Sequence, residues 1–380
     1  MVYDGGRISV NAVRTALKHT LAGVIYPWLL RDLPAPRPSG ERADIAVVCL
    51  AALGDFVVFC SVARELHKQG KRIVLICREN KGIEEFAELT GYFDQIIPLS
   101  YEYRKRGSAL RMLRSVGADL VIVAPMGRHT FSDLCALSIS ANRRVLPDTL
   151  QGCELPRLKR IIDRLADTLV PVTAVNEQER YEQYLRGAGL YNGAIMPFAF
   201  DWVANRNAPE RKLIAVFPGA SGGEFKRWPI DRFAAVSNYL LVQYSCKIVA
   251  CGSSNEKELG TQFCALVPEA INRCGEMTIA DLVSFLKAQV SLCICNDTGS
   301  AHISVACGVP TVVICGGWEY GRFYPNARLP GYCCTVLPDK DDLACVPCGK
   351  SQPDCVGEGT AICVLAVETG TVKSKVQHSL

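Results

Sequence analysis

"LCICNDTGSAHISVACGVPTVVICGG", Leu292 to Gly317, sets two apolar runs, Ser291–Cys295 and Thr311–Cys315, around a polar knot, Asn296-Asp297-Thr298-Gly299-Ser300-Ala301-His302. Short apolar runs bounded by turn residues read as buried strands, and the residues from about Ser300 read as the start of a helix that carries the chain back. A strand, a polar turn, a helix and a second strand form the repeating unit of a parallel sheet wound with helices. The fold class therefore turns on whether that unit recurs.

It recurs along most of the chain. From Asp44 the reading gives strands at Ile45–Leu50, Arg72–Cys77, Gln95–Leu99 and Leu120–Ala124, with helices through Phe56–Lys68, near Ile83–Thr90 and near Ser108–Val116. The pattern lapses across "GAIMPFAFDWVANRNAPERK", Gly193–Lys212, where the reading places a domain linker. It restarts with strands at Leu213–Phe217, Lys247–Cys251, Ser291–Cys295 and Thr311–Cys315, and helices at about Pro229–Tyr244, Glu256–Leu266 and Ile279–Lys287. A chain of 380 residues suits two such domains. The expected class is α/β, two Rossmann-like doubly wound domains at 44–195 and 205–380 facing a central crevice, after an N-terminal extension at 1–43.

Composition excludes several function classes. About half the residues (49%) are apolar and 21% are charged, as in a globular protein rather than a disordered one. The formal net charge of +4 comes with no long basic run, so no nucleic-acid partner is expected. Of nineteen cysteines, Cys49, Cys60, Cys77, Cys251, Cys293, Cys295 and Cys315 sit inside apolar runs, where thiols behave as small hydrophobes. With no charged and apolar leader at the start, a reducing cytoplasm is the expected compartment. The longest apolar run, Ile45–Val62, is broken by Gly54-Asp55 and makes a poor membrane span.

In open parallel sheets ligands bind beyond the carboxyl ends of the strands. Three turns there carry chemistry. In "CNDTGSAH" Thr298 is placed to cap the helix, while Gly299 and Ser300 keep bulk low where first-turn N–H groups and the helix dipole favour a phosphate. The plainer alternative is an ordinary capped helix start. In "FPGASGGEFKRWP" the small residues, Gly219 and Ser221 among them, admit an anion to backbone donors, and Lys226 adds charge. The alternative makes Lys226 and Arg227 a solvated rim. In "LAALGDF" Asp55 stands at a strand end and a helix start, either as an N-cap or as a carboxylate facing the crevice, placed to take a proton from a hydroxyl. A base on one domain and an anion site on the other describe a transferase with a phosphate leaving group.

These elements resemble the bacterial ADP-heptose:LPS heptosyltransferase-like glycosyltransferases, family 9. "PGASGGEFKRWP" is similar to their Pro-Gly-Ala/Ser-x4-Lys-x-Trp-Pro element, and "NDTGSAHISVACGVPTVVICG" to their Asp-Thr-Gly-x-x-His block. "LAALGDFVVFCSVARELHKQGKRIVLICR" is similar to their opening strand, Gly-Asp turn and helix. The resemblance implies a GT-B fold, with the acceptor on the first domain, the nucleotide sugar on the second, and inversion at the anomeric carbon. It implies Asp55 as general base, Lys226 on phosphate, Asp297, Thr298, Gly299, Ser300 and His302 around the diphosphate and sugar, and Glu256 of "CGSSNEKE" on the ribose. It further implies ADP-heptose as donor, a lipopolysaccharide core or a protein as acceptor, and no cofactor required for catalysis. The competing readings are an epimerase or hydrolase of nucleotide sugars and a non-catalytic sugar-binding member.

Where the family continues with Pro, this chain has Gly317-Trp318-Glu319-Tyr320, a segment expected to shape the sugar pocket. Then "CVPCGKSQPDCVGEGTAIC" offers Cys345, Cys348, Cys355 and Cys363, a Cys-x2-Cys and two further thiols like a structural zinc or iron site. Similar cysteine sets occur in this family, including an autotransporter-modifying branch with an iron-binding finger. The alternative is four reduced cysteines. The acidic run Asp339-Lys340-Asp341-Asp342 reads as a solvated loop. Before the first strand, Val13, Leu17, Leu21, Val24 and Trp28 form one helical stripe with Arg14, Lys18 and Arg31 nearby, which either packs on its own domain or rests peripherally on the inner membrane, where a lipid-linked acceptor is met.

Overall fold

Every apolar run read above as a strand becomes one. A computed structural model describes residues 33–35, 42–124, 127–149, 156–207, 209, 212–220, 222–318, 320–338, 343, 345, 346, 348, 355–357 and 359–379. The stripe at Ala12–Leu30, Ser221 and the acidic run Asp339–Asp342 lie outside them.

The first sheet holds β1 (Ala43–Cys49), β2 (Ile73–Arg78), β3 (Gln95–Leu99), β4 (Gly117–Ala124), β5 (Ser140–Asp148) and β6 (Thr168–Pro171) in the order β3-β2-β1-β4-β5-β6. The second holds β7 (Lys212–Phe217), β8 (Cys246–Ala250), β9 (Ile271–Asn272), β10 (Leu292–Asn296), β11 (Thr311–Ile314) and β12 (Cys333–Val336) in the order β12-β11-β10-β7-β8-β9. The two orders are the same pattern used twice, and all the pairings within them are parallel. Parallel strands covered on both faces need apolar side chains on both, which is why Val47, Val48, Cys49, Ile294 and Cys295 are all buried.

The crossover helices of the first sheet are α1 (Leu53–Lys68), α2 (Ile83–Thr90), α3 (Arg106–Leu113), α4 (Thr130–Ser138) and α5 (Pro156–Leu165), and α6 (Glu177–Ala188) follows its last strand. Those of the second are α7 (Ile230–Gln243), α8 (Lys257–Leu266), α9 (Ile279–Gln289) and α10 (Gly299–Ala306), with α11 (Ile362–Leu365) and α12 (Thr369–Ser379) near the end. Among the described residues no helix is long and apolar enough to cross a membrane.

Strand order reverses at β1/β4 in one sheet and at β7/β10 in the other, and ligands bind at such switch points. The Gly-Asp turn follows β1, the Pro-Gly turn follows β7 and the Asp-Thr-Gly turn follows β10. All three turns thus open at the reversals, a placement that alternation alone does not reveal.

The stretch read as a linker is also a packed element. Ile195, Phe198 and Phe200 are buried, Phe198 and Phe200 meet Phe86 with centroids 6.0 and 5.5 Å apart, and the Phe200 N–H donates to the Ala306 carbonyl at 3.0 Å. Phe198, Phe200 and Trp202 alternate as in a strand, yet among the described residues the segment pairs with no sheet and its aromatics pack in the seam. A second tie crosses the seam at Glu85 of α2, whose carboxylate accepts the N–H groups of Ile279 (3.0 Å) and Ala280 (2.9 Å) at the start of α9. The Asp281 N–H donates to the Thr278 hydroxyl and the Thr278 N–H to Asp281 Oδ2, so the four orphan N–H groups of that helix are satisfied, two of them from the other sheet's unit. Glu85→Ala is expected to cost about 1 kcal/mol, as a lost N-terminal cap does, with Glu85→Gln costing less; equilibrium urea unfolding of the full chain checks it.

Candidate active site

Helices α1 and α10 meet end to end. A Cβ on Gly54 would lie 3.0 Å from His302 Cδ2 and 3.2 Å from Gly299 Cα, so any side chain at the α1 start would press on α10. Two helix N-termini, each with exposed donors and a partial positive charge, are thereby brought together. Carboxylates accompany both, Asp55 in the first turn of α1 and Asp297 just before α10.

Asp55 is not a cap. The N-cap of α1 is Ala52 and no side chain caps it. Asp55 Oδ1 instead accepts from Arg322 Nη2 at 3.0 Å, and Arg322 Nε donates to Glu177 Oε2 at 2.9 Å. Arg322 was invisible to sequence reasoning because 267 residues separate it from Asp55.

The second sheet's two turns are fastened to each other by Asn296, the last residue of β10 and fully buried. Its Nδ2 donates to the carbonyls of Pro218 (3.0 Å) and Gly219 (3.1 Å), and its Oδ1 accepts the Trp228 N–H at 2.9 Å. One amide thus fixes the spacing of the Pro-Gly turn, the Lys-Arg-Trp-Pro element and the Asp-Thr-Gly turn. Trp228 is more than a helix start: it is buried against Phe233, and its indole N–H donates to the Val367 carbonyl at 2.9 Å.

Lys226 Nζ stands 5.8 Å from the ring centroid of Trp318, which is itself buried edge-on to Phe225. Burial pushes the Asp297 carboxyl above its ordinary range while Lys226 and Arg322 pull it back, so both cations are felt at the start of α10. Thr298 sits at the N-cap position with an extended backbone, yet its side chain makes no cap bond and donates to the Asn296 carbonyl at 3.4 Å. That corrects the capping expectation and leaves the helix start without a side-chain acceptor. Ser300 lies in the first turn. Gly219 leaves space for Glu256: a Cβ there would fall 1.8 Å from Glu256 Oε1. The other carboxylate oxygen of Glu256 accepts from the Ser253 N–H and hydroxyl, both at 2.7 Å.

His302 faces the seam. Its Nδ1 is 3.2 Å from the Tyr324 hydroxyl, its ring stacks on Tyr324 at 5.1 Å and meets Phe323 edge-on at 5.2 Å. Burial, then the charges of Lys226 and Arg322, lower its pKa from 6.5 to about 3. The ring is neutral near pH 7 and packs the seam between the two helix ends.

Among the described residues no group of three or more His, Cys, Asp or Glu side chains is placed to hold a metal ion. The Cys363 thiol, pushed up by burial, also feels Cys355 and Cys348. Cys363 and Cys348 both anchor Gly317: its N–H donates to Cys363 Sγ at 3.3 Å, and its carbonyl accepts the Cys348 N–H at 3.0 Å. Cys345 is exposed.

Residues 194–343 match the model of glycosyltransferase family 9 (heptosyltransferase). The chain is 32% identical over 146 residues to a lipooligosaccharide heptosyltransferase 2 of Campylobacter jejuni, a match covering 36% of this chain and 43% of that protein's length. In fold it is similar to the Escherichia coli ADP-heptose LPS heptosyltransferase II structure, with a TM-score of 0.64 at 19% identity over 88% of this chain and 98% of that one. The E. coli heptosyltransferase WaaC with ADP-2-deoxy-2-fluoro heptose gives a TM-score of 0.63 at 13% identity over 89% and 100%. The two-sheet architecture is therefore the GT-B arrangement.

A histidine with a folded pKa near 3 and an unfolded value near 6.5 takes up its proton only on unfolding between those limits. Its stabilising contribution is complete above about pH 6.5 and is lost as pH falls toward about 3. The His302 ring signals are expected not to titrate between about pH 8 and 5 by NMR, and His302→Phe should show a shallower fall in melting temperature on acidification below about pH 6.5 than wild type.

Proposed function

We propose, from the match of residues 194–343 to the glycosyltransferase family 9 (heptosyltransferase) model, that the chain is an inverting transferase moving a heptose from ADP-heptose to a hydroxyl of a lipopolysaccharide core or of a protein. The observation that carries the reading is the end-to-end approach of α1 and α10, which sets a carboxylate against a phosphate-seeking helix start. In this reading residues 44–195 hold the acceptor and 205–380 the donor. A lipid-linked acceptor would be met at the cytoplasmic face of the inner membrane.

The diphosphate lies against the start of α10, where the N–H groups of its first turn, the Pro-Gly turn and Lys226 take its charge, and Glu256 beside Gly219 takes the ribose. These donors supply the leaving group's stabilisation, so the reading requires no metal. The acceptor hydroxyl gives its proton to Asp55 as its oxygen attacks the anomeric carbon from the opposite face. The anomeric carbon–oxygen bond breaks, and its electron pair leaves with the nucleoside diphosphate. A sugar hydroxyl is too weak an acid to ionise near neutral pH, and a positioned base supplies roughly 10²–10⁴-fold. Trp318, buried beside Lys226, bounds the sugar end.

Two outcomes are expected. Lys226→Ala weakens ADP binding by about 1.5–3 kcal/mol in calorimetry, the range for a lost hydrogen bond to a charged group; unchanged affinity removes Lys226 from the site. Asp55→Asn lowers single-turnover transfer by about 10²–10⁴-fold while ADP affinity and melting temperature hold, and a wild-type rate ends the base assignment. Nucleotide released only when acceptor is present separates transfer from hydrolysis or epimerisation.

A further inference from the structure

We propose that Arg322 is a positioning residue for the Asp55 carboxylate, itself held by Glu177, so that the base is set in place only when the two sheet units are in contact. The inference rests on the transferase reading above.

Arg322 belongs to the segment that follows β11 of the second sheet, whereas Asp55 and Glu177 belong to α1 and α6 of the first. The guanidinium is fixed on three sides. Nε donates to Glu177 Oε2 at 2.9 Å, Nη2 donates to Asp55 Oδ1 at 3.0 Å, and the carbon of the group lies 4.4 Å from the centroid of the Phe323 ring. The backbone closes the clamp in the other direction, because the Glu177 N–H donates to the Arg322 carbonyl at 3.0 Å. The Glu177 side chain is 1% exposed, Arg322 13% and Asp55 23%, so this chain of charges is not a solvent-screened surface pair. Arg180 Nη1, 3.5 Å from the same Glu177 oxygen, helps neutralise the buried carboxylate.

An arginine suits this place for a physical reason. Its planar fork spans two acceptors at once, whereas an ammonium is a point charge on a flexible stem. A general base must be ionised and must point at the hydroxyl it deprotonates, and a misplacement of about 1 Å can cost a hundredfold. An opposite charge within hydrogen-bond distance serves both needs. The groups facing this assembly are Cys49 of β1 and Tyr181 of α6, which feel the Asp55 charge, together with Asp297 and His302 at α10, which feel Arg322. Among the described residues Glu177 and Arg180 face it as well. The buried thiol and phenol are pushed up and His302 is pushed down, so these three stay neutral near pH 7.

The test compares wild type, Arg322→Gln, Arg322→Lys and Asp55→Asn as full chains. Single-turnover transfer is measured from ADP-heptose to a heptose-deficient lipooligosaccharide core across pH 5–9, ADP affinity by calorimetry, and stability by melting. Folded Arg322→Gln is expected to lose about tenfold to a hundredfold in transfer rate with ADP affinity unchanged, and the acidic limb of its rate profile should move up by about one pH unit, as removal of a cation beside a carboxylate requires. Arg322→Lys keeps the charge and should restore the limb but only part of the rate; should the Gln variant not fold, this one carries the test. Independently of turnover, the midpoint of the Asp55 carboxyl-carbon titration by NMR should be higher in Arg322→Gln than in wild type. A wild-type rate and profile in folded Arg322→Gln, coincident NMR midpoints, or a rate loss matched by lost ADP affinity each overturn the proposal. A slow Asp55→Asn with a fast Arg322→Gln defeats this inference alone, while a fast Asp55→Asn defeats the base reading beneath it.

Discussion

The rest of the site depends on one steric constraint, the absence of a side chain at Gly54. Helices α1 and α10 approach so closely that an added Cβ would touch both the Gly299 backbone and the His302 ring. Two partial positive helix ends repel each other in isolation. Their approach holds because apolar surface is buried around it, with Phe56, Phe59 and Phe86 on one side and Ala301, Ile303 and Ala306 on the other forming one continuous core. The same core takes in Phe198 and Phe200 of the connecting segment. The crevice is thus set by packing, and polar groups are then fitted into the space that packing leaves.

Those polar groups are heavily desolvated, which decides what each can do. Burial keeps His302 neutral, removing it as a proton carrier and leaving it as a stacking partner for Tyr324. Burial raises Asp297 against the pull of Lys226 and Arg322, so its anionic form relies on those two cations. Asn296, an uncharged amide, bears the mechanical load with three hydrogen bonds and no charge to desolvate. The division follows from the low effective dielectric of the interior, where a charge is tolerated only beside its partner and a neutral amide with its donors and acceptors paired costs little.

Fold and turns were legible in the sequence to different degrees. The strands at Gln95–Leu99 and Leu213–Phe217 and the helix at Ile83–Thr90 stand where the pattern put them, to within a residue, because burial on both sheet faces demands continuous apolar runs. The capping role of Thr298 was misread. A capping residue is recognised by type, yet whether its oxygen reaches the helix N–H depends on backbone angles that type does not fix. Spacing along the chain likewise did not show that Cys363 and Cys348 anchor Gly317, because that contact joins residues far apart in sequence.

By itself, the sequence determined the parallel α/β class, the two-sheet plan and the three turns at strand ends, since each is written in local periodicity and in residues that punctuate it. Only the tertiary structure decided that Glu85 caps a helix of the other unit, that Asn296 fastens two turns together, and that Arg322 rather than a local N–H partners Asp55. Each of these is a contact between residues dozens to hundreds of positions apart. Such contacts are fixed by how whole sheets and helices pack, and no local pattern encodes which distant donor a strand end will meet.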